Sequence, residues 1–212
     1  KASQEGVSIN NITFTTPTHV GTTDACKIGM GGYLKDGTVW RYHLPMDLQG
    51  IFTINILEFM AAIINIWLLL LRSGKGLKIM NWIDSSSVLG WLHHSTFNPV
   101  TQPVHDTIAR HLANILLDHD STLYSQHVAG KQNAVADSLS CDTHIPDTHL
   151  IFALKNLYPE QVPSNFHLQT LPKEIVSWVY SVKELSTAEM TMPQAHRPSR
   201  LGAILDGRDS WR

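Results

Sequence analysis

The sequence predicts an α/β fold in which a mixed five-stranded sheet is flanked by helices and followed by a C-terminal extension. Three observations lead to this class. Residues 19–44 have the turn-punctuated pattern of an antiparallel meander, residues 55–71 form a long apolar segment, and strand and helix patterns then alternate up to residue 141. Hairpins followed by β-α-β units place antiparallel and then parallel strands in one sheet, with helices on its faces.

The meander is predicted from its strand patterns and one tight turn. Residues 19–26 form a strand that ends on an acid, Asp24, and residues 28–34 contain glycines of the kind that allow close packing or a bend. An Asp-Gly pair at residues 36–37 supplies the positive φ angles of a hairpin turn. Residues 39–44 form the return strand, so three antiparallel strands are expected here.

The longest apolar run, residues 55–71, is predicted to be a helix buried against the sheet. Its length also suits a membrane span, which needs about 17–25 residues. However, it contains Glu58 and Asn65, and such side chains are costly inside a bilayer, so the buried helix is preferred and no membrane partner is expected. Asn55 and Glu58 also have the spacing of an N-terminal capping pair.

The second half of the sheet begins at residues 77–84, a strand pattern that again ends on an acid, Asp84. Residues 85–92 follow as a short helix that opens with serines. The prolines within residues 95–103 indicate a loop.

The last part of the predicted domain contains a helix, a strand and a second helix. Residues 104–118 carry apolar side chains at helical spacing, and residues 122–128 have a strand pattern. A glycine turn then leads into a helix over residues 130–140, which presents one acid, Asp137, among small residues.

Composition divides the chain into three parts. Residues 1–17 are polar and are predicted to be an arm or linker, whereas residues 18–141 carry the α/β domain. Residues 142–212 are rich in Pro, His, Ser and Thr and are predicted to be an extension or connector. This extension has one amphipathic segment at residues 174–185 and a flexible end around residues 197–200.

Charge and cysteine content limit the possible functions. The net charge is −2, so a nucleic-acid partner would have to be held by a local basic patch, by metal ions or by a neighbouring domain. Cys26 and Cys141 lack metal-ligand spacing and favour a reducing intracellular setting, cytoplasmic or nuclear. The 12 histidines contain no HExxH motif and are not expected to form a metal site. The chain begins with Lys1 and shows no signal peptide, which favours a piece of a longer protein or a trimmed chain.

Four acids in different elements form the candidate site. Asp24 and Asp84 end strands that can be neighbours in an open α/β sheet, Glu58 lies one turn into a helix, and Asp137 lies in the last helix. Carboxylates brought together repel one another and need cations, and hard oxygen ligands favour Mg²⁺ or Mn²⁺. Two such ions about 3.5–4 Å apart can activate a water and stabilise the leaving oxygen of a phosphodiester. Taken singly, each acid also fits a structural role. Asp24 could be a turn residue at a strand end, Glu58 a capping partner, Asp84 the N-cap of the following helix and Asp137 an exposed helix acid.

The joint pattern of these elements and acids resembles the ribonuclease H domains of retroelement polyproteins. The matching segments, in the order of the family's motifs, are Thr23–Ala25 with Gly29–Gly32, Thr53–Ala61, Ile83–Ser85 and His127–Ser140. The last segment is the most specific and is similar to the ribonuclease H end of LTR and tyrosine-recombinase (DIRS-like) retrotransposons. The resemblance covers about residues 18–141.

This resemblance implies a ribonuclease H-like fold and hydrolysis of the RNA strand of RNA–DNA hybrids with two Mg²⁺ (or Mn²⁺) ions. Carried over by motif, it makes Asp24, Glu58, Asp84 and Asp137 the metal-binding catalytic set. It also implies a reverse transcriptase domain of the same polyprotein as a neighbour.

Three residues depart from the family's pattern. Ser85 stands where Asn is common, Cys141 stands where an Arg usually closes the fourth motif, and Lys131 stands where cellular ribonucleases H carry a mobile histidine, although Lys is ordinary in the retroelement branch. A basic protrusion that could hold the hybrid is missing from residues 93–104. The reverse transcriptase could supply that basic surface.

Two functions of different classes follow, a metal-dependent endoribonuclease and a catalytically silent ribonuclease H-like module with a structural or binding role. The four acids favour the first, whereas the near-neutral charge and the altered flanking residues favour the second. Other nucleases of this fold fit less well. Exonucleases carry a Glu at the position of Cys26, and transposases and integrases carry a late Glu in place of Asp137.

Overall fold

The structure is a computed structural model and describes residues 16–94 and 102–191. Its helices and strands are β1 (His19–Cys26), β2 (Gly29–Leu34), β3 (Thr38–His43), α1 (Ile54–Ser73), β4 (Lys78–Ile83), α2 (Ser86–His94), α3 (Gln102–Asp118), β5 (Thr122–His127), α4 (Ala134–Cys141), α5 (Asp147–Leu157), β6 (His167–Gln169) and α6 (Lys173–Thr191). Most of the predicted N-terminal arm, most of the predicted loop at 95–103 and the segment at 197–200 lie outside the described residues.

The strands form one mixed sheet in the order β5-β4-β1-β2-β3-β6. β1, β2 and β3 pair antiparallel, and β4 and β5 add parallel to β1. The predicted α/β class, with a meander followed by parallel units and helices on the faces, is confirmed. Within the described residues the sheet has six strands rather than the five predicted, because β6 adds parallel to β3. This strand has only three residues, which is too short for an alternating pattern to be visible in the sequence.

Glycines in β2 let a helix lie directly on the sheet. A Cβ on Gly31 would be 2.6 Å from Leu139 Cβ and 2.7 Å from its carbonyl carbon, and a Cβ on Gly29 would be 2.3 Å from the Ser140 oxygen. Real Cβ atoms do not approach backbone this closely, so α4 can occupy its position only over glycine. Gly31 pairs with Asp24 across the meander, so Asp24 and α4 share one face of the sheet.

The long apolar helix α1 packs on the opposite face. Its Asn65 is buried and accepts a hydrogen bond at 2.9 Å from Trp40 Nε1, and Trp40 pairs with Gly32, the residue next to Gly31. α1 is long and apolar enough to cross a membrane, but 72% of its most apolar window is buried inside the structure. Its apolar surface is therefore covered by protein, as predicted for a helix packed on a sheet.

Helix starts differ from the sequence-based expectation in two places. α1 begins after Thr53, whose side chain caps it by accepting from the Ile56 amide, so the predicted Asn55–Glu58 capping pair is wrong. The helix that carries Asp137 begins after Asn133 rather than at residue 130, because residues 130–132 form a separate 3₁₀ turn.

The segment after α4 packs against the sheet and the α1 core. Arg41 of β3 fixes the start of this segment by donating hydrogen bonds to Asp147 Oδ1 and to the Ile145 carbonyl, each at 2.7 Å. Ile175 and Val179 of α6 are fully buried in the same hydrophobic cluster as α1. The predicted amphipathic segment at residues 174–185 therefore lies within α6 and contributes to the core.

Candidate metal centre

The four predicted acids come from four different elements. Asp24 lies near the end of β1, Glu58 in the second turn of α1, Asp84 directly after β4, and Asp137 in the first turn of α4. Asp24 is only 8% exposed, whereas Asp137 faces solvent. One ligand oxygen from each of Asp24, Glu58 and Asp84 lies within 4.8 Å of the others. A second group with the same spacing joins Asp24 and Asp137 to the sulfur of Cys141, so Asp24 belongs to both groups.

The sheet register explains why Asp24 and Asp84 meet. β1 and β4 are adjacent and parallel, with Thr22 opposite Trp82, so their carboxyl ends lie at the same edge of the sheet. The expectation that the first and fourth strands are neighbours is confirmed. This edge is where sites gather in open α/β sheets.

Asp24 is the most perturbed acid of the centre. Its pKa is raised from 3.8 to about 7, mainly by burial, and the nearby carboxylates of Asp84, Asp137 and Glu58 contribute to this rise. The Ser140 hydroxyl donates to Asp24 Oδ2 at 2.7 Å and opposes this shift. Without a cation, Asp24 therefore keeps its proton over most of the acidic pH range, and a bound cation would favour its ionised form.

Glu58 has an oxygen without a partner. Burial raises the pKa of its carboxyl group, with a smaller contribution from Asp84, while a hydrogen bond from Ser85 lowers it. Its Oε2 atom is buried and has no hydrogen-bond partner among the described residues. Buried carboxylate oxygens are normally satisfied, and a bound cation would satisfy this one. The donors of Asp24, Glu58 and Asp84 are all carboxylate oxygens, the ligands that Mg²⁺ and Mn²⁺ prefer, so this group fits such an ion.

The structural roles considered for two of the acids are taken by neighbours. Thr53 caps α1, so Glu58 is not needed there. The Ser85 side chain accepts from the Val88 amide at 3.4 Å and caps α2, so the Asp84 carboxylate is not the N-cap. Both carboxylates are thus available for the centre.

Hydrogen bonds fix the elements that carry the acids. Asn133 is buried and its Nδ2 donates to the Thr23 carbonyl at 3.3 Å, which joins the start of α4 to β1 beside Asp24. His127 Nε2 lies 3.1 Å from the Asp84 carbonyl oxygen, so this histidine contacts the backbone of the centre. A Cβ on Gly130 would be 3.8 Å from Asp84 Oδ2, so the glycine turn passes close to this acid.

Cys141 is the residue at this centre that sequence reasoning passed over as a ligand. Its thiol donates to Asp137 Oδ1 at 3.6 Å, and burial raises its pKa to about 12. The signal was present in the sequence, because residues four apart on a helix share a face and Cys141 follows Asp137 by four. No histidine of the described ranges belongs to either ligand group.

No protein-family model and no curated protein matches the chain. Among solved structures, a ribonuclease H1 isolated from compost by a metagenomic approach, in complex with an RNA/DNA hybrid, matches with a TM-score of 0.49 and 16% identity over 61% of this chain and 100% of that one. Another structure of the compost enzyme matches with a TM-score of 0.43 and 17% identity, over 58% of this chain and 93% of that one. The ribonuclease H1 of the archaeon Halobacterium salinarum NRC-1 matches with a TM-score of 0.48 and 18% identity, over 59% of this chain and 96% of that one. Likenesses at this level carry no inference about activity.

Proposed function

We propose that this chain is a metal-dependent endoribonuclease that hydrolyses the RNA strand of RNA–DNA hybrids, as the ribonuclease H part of a retroelement reverse transcriptase polyprotein. The observation that carries the proposal is the gathering of Asp24, Glu58 and Asp84 within 4.8 Å, with Asp137 beside Asp24. Ionisation of this cluster is unfavourable unless cations bind to it, because the pKa values of Asp24 and Glu58 are raised and one oxygen of Glu58 has no partner among the described residues. The motif resemblance supports the choice of substrate.

The same four residues would hold two Mg²⁺ (or Mn²⁺) ions. Asp24 is the acid common to both ligand groups, so its loss would affect metal binding most. When bound, such ions lower the pKa of an attacking water and stabilise charge on the leaving oxygen. Ser140 keeps the Asp24 carboxylate oriented through its 2.7 Å hydrogen bond, and Ser85 does the same for Glu58. The burial of Asp24 limits water at the reacting end of β1 and strengthens electrostatic interactions there.

The partners would be an RNA–DNA hybrid and the reverse transcriptase domain of the same polyprotein. RNA would be distinguished from DNA through 2′-hydroxyl contacts in the wide minor groove. The chain has a net charge of −2 and no Lys or Arg within residues 93–104, so a neighbouring domain would have to supply much of the positive surface.

That charge balance also favours a second candidate, a ribonuclease H-like module that does not cut. Such a module would keep the fold and use it as a structural or binding surface. It differs from the enzyme in having no metal-dependent turnover, whether or not the reverse transcriptase is present.

Cleavage of a labelled RNA–DNA hybrid tests the proposal. The wild-type chain, alone and joined to its reverse transcriptase, is expected to cut the RNA strand with Mg²⁺ or Mn²⁺ and to stop when EDTA is added. Asp84→Asn, which keeps the size of the side chain, is expected to reduce the rate by more than about 100-fold. Removing a metal ligand should lower the activity more than removing a residue that only supports a ligand. Folded wild-type protein that cuts in neither form would overturn the proposal and favour the silent module.

A further inference from the structure

The second ligand group of the centre contains sulfur as well as oxygen. Cys141 Sγ lies 3.6 Å from Asp137 Oδ1, and these two atoms form a group within 4.8 Å together with an oxygen of Asp24. A thiol does not suit a purely hard-cation site, because Mg²⁺ takes oxygen ligands. Thiolate together with carboxylate is instead a ligand set for Zn²⁺ and similar ions.

The spacing agrees with tetrahedral coordination. A zinc ion binds a cysteine sulfur at about 2.3 Å and a carboxylate oxygen at about 2.1 Å, which places the two ligand atoms about 3.6 Å apart in a tetrahedron. The Cys141–Asp137 pair already has this separation of 3.6 Å. The two side chains are one helical turn apart on α4, so they would not need to rearrange to bind.

A second thiol lies beside the first. Cys26, the last residue of β1, donates to the Ser140 carbonyl at 3.2 Å and interacts with the Cys141 thiol. Both cysteines are free. The sulfur-containing group thus lies between β1 and α4, and Asp24 supplies its buried carboxylate.

We propose that this face of the centre binds a thiophilic divalent cation, Zn²⁺ being the representative, through Cys141 Sγ and the carboxylates of Asp24 and Asp137. Binding transfers the thiol proton to solvent and forms one metal–sulfur bond, with no change of oxidation state. Because Asp24 also belongs to the group with Glu58 and Asp84, zinc would bind at the expense of the hard cations. Zinc would therefore inhibit hydrolysis; only this consequence rests on the proposed function.

Cobalt(II) is the probe for the binding step. It replaces zinc at such sites, and a thiolate ligand gives a sulfur-to-cobalt charge-transfer band that carboxylates and histidines do not give. The wild-type chain, reduced with a phosphine, is expected to develop this band on titration with Co²⁺ and to lose it when Zn²⁺ is added. Cys141→Ser is expected to abolish the band, whereas Cys26→Ser, the matched control on β1, is expected to keep it.

Two results of the titration would overturn the proposal. One is the absence of the charge-transfer band in folded wild-type protein. The other is a band that persists unchanged in Cys141→Ser. Circular dichroism and thermal unfolding of each variant establish that the chain is folded.

The inhibitory consequence has its own measurement. The Zn²⁺ concentration that halves Mg²⁺-dependent hybrid cleavage, taken relative to each protein's own uninhibited rate, is expected to rise at least about tenfold in Cys141→Ser. Equal zinc sensitivity of the two proteins would contradict the shared role of Asp24. If the chain does not cleave hybrids, the proposed function fails while the cobalt titration still decides the binding proposal.

Discussion

The two helices that pack on the central strands differ in how they are held in place. α1 has 20 residues, 13 of them buried, so its position is determined by many apolar contacts. α4 has eight residues, four of them buried, and lies over the glycines of β2. Each helix contributes an acid to the centre, Glu58 from α1 and Asp137 from α4.

This difference indicates where the centre is sensitive. A change inside α1 removes one of many contacts, so it should lower stability without moving the acids. A change under α4 has no such redundancy, because Gly31 and Ser140 define the distance between that helix and Asp24. The predictions below test this contrast, from the largest expected effect on hybrid cleavage to the smallest.

Gly31→Ala should have the largest effect. The new Cβ would approach Leu139 and Ser140 atoms to between 2.6 and 2.8 Å, two of them backbone atoms, so α4 must shift. A displacement of about 1 Å can cost about 100-fold in rate, and overpacking costs about 1–3 kcal/mol of stability. The measurement is the cleavage rate and metal affinity of protein shown to be folded.

Gly90→Ala is the matched control. A Cβ at this helical position meets no atom of the described residues within 4 Å. It should leave cleavage unchanged and stabilise α2 by up to about 1 kcal/mol. Equal effects of the two substitutions would show that the close approach of α4 to Gly31 does not determine the geometry of the centre.

Ser140→Ala should have an intermediate effect. It removes the hydroxyl that donates to Asp24 Oδ2 at 2.7 Å, so the carboxylate loses its orientation and its pKa rises further. Loss of a supporting residue typically costs about 10–100-fold in metal affinity or activity. Ser138→Ala is the control, because that hydroxyl donates to Asp142 instead. A Ser140 variant that binds Mn²⁺ as tightly as the control would refute the positioning role.

The pH dependence of the unfolding free energy tests the raised pKa of Asp24 directly, although its effect on cleavage is expected to be smaller than those of the substitutions above. The pKa of Asp24 is raised from 3.8 to about 7 in the folded protein. Its contribution to the free energy of unfolding is therefore fully present below pH 3.8 and is lost as the pH rises to about 7 in metal-free protein. His111, whose pKa is lowered from 6.5 by burial, has the opposite slope, so the wild type is compared with Asp24→Asn. Urea unfolding in EDTA should show the wild type losing stability relative to Asp24→Asn as the pH rises across this range, and Mg²⁺ should restore wild-type stability at neutral pH. A difference that stays constant with pH would be inconsistent with the raised pKa.

Leu69→Ala should have the smallest effect on cleavage. Leu69 is fully buried in α1, about three turns beyond Glu58. The substitution should cost about 2–5 kcal/mol of unfolding free energy while the folded fraction keeps its cleavage rate. A rate loss as large as that of Gly31→Ala, measured well below the melting temperature, would show that α1 is no more robust than α4.

Sequence reasoning anticipated the parts of the fold that have local signals. The Asp-Gly turn, the glycines of β2 and the apolar run of α1 each determine structure within their own segment. The four acids were selected as candidates because each belongs to a recognisable element. β6 could not be anticipated, because it has only three residues and they pair with Thr38–Trp40 of β3, which is far away along the chain. The hydrogen bond from Ser140 to Asp24 and the distance from Cys141 to Asp24 both depend on how α4 lies on β1, whereas the sequence shows only that Cys141 follows Asp137 by about one helical turn.

Manganese binding tests the central claim, that carboxylates of four elements form one metal centre, most directly. Calorimetry or electron paramagnetic resonance would compare the wild-type chain with Asp24→Asn, which alters the acid shared by both ligand groups and keeps its size. Saturable binding of two Mn²⁺ ions by the wild type, weakened at least about tenfold in the variant, is the expected result. Equal Mn²⁺ binding by the two folded proteins would contradict the account.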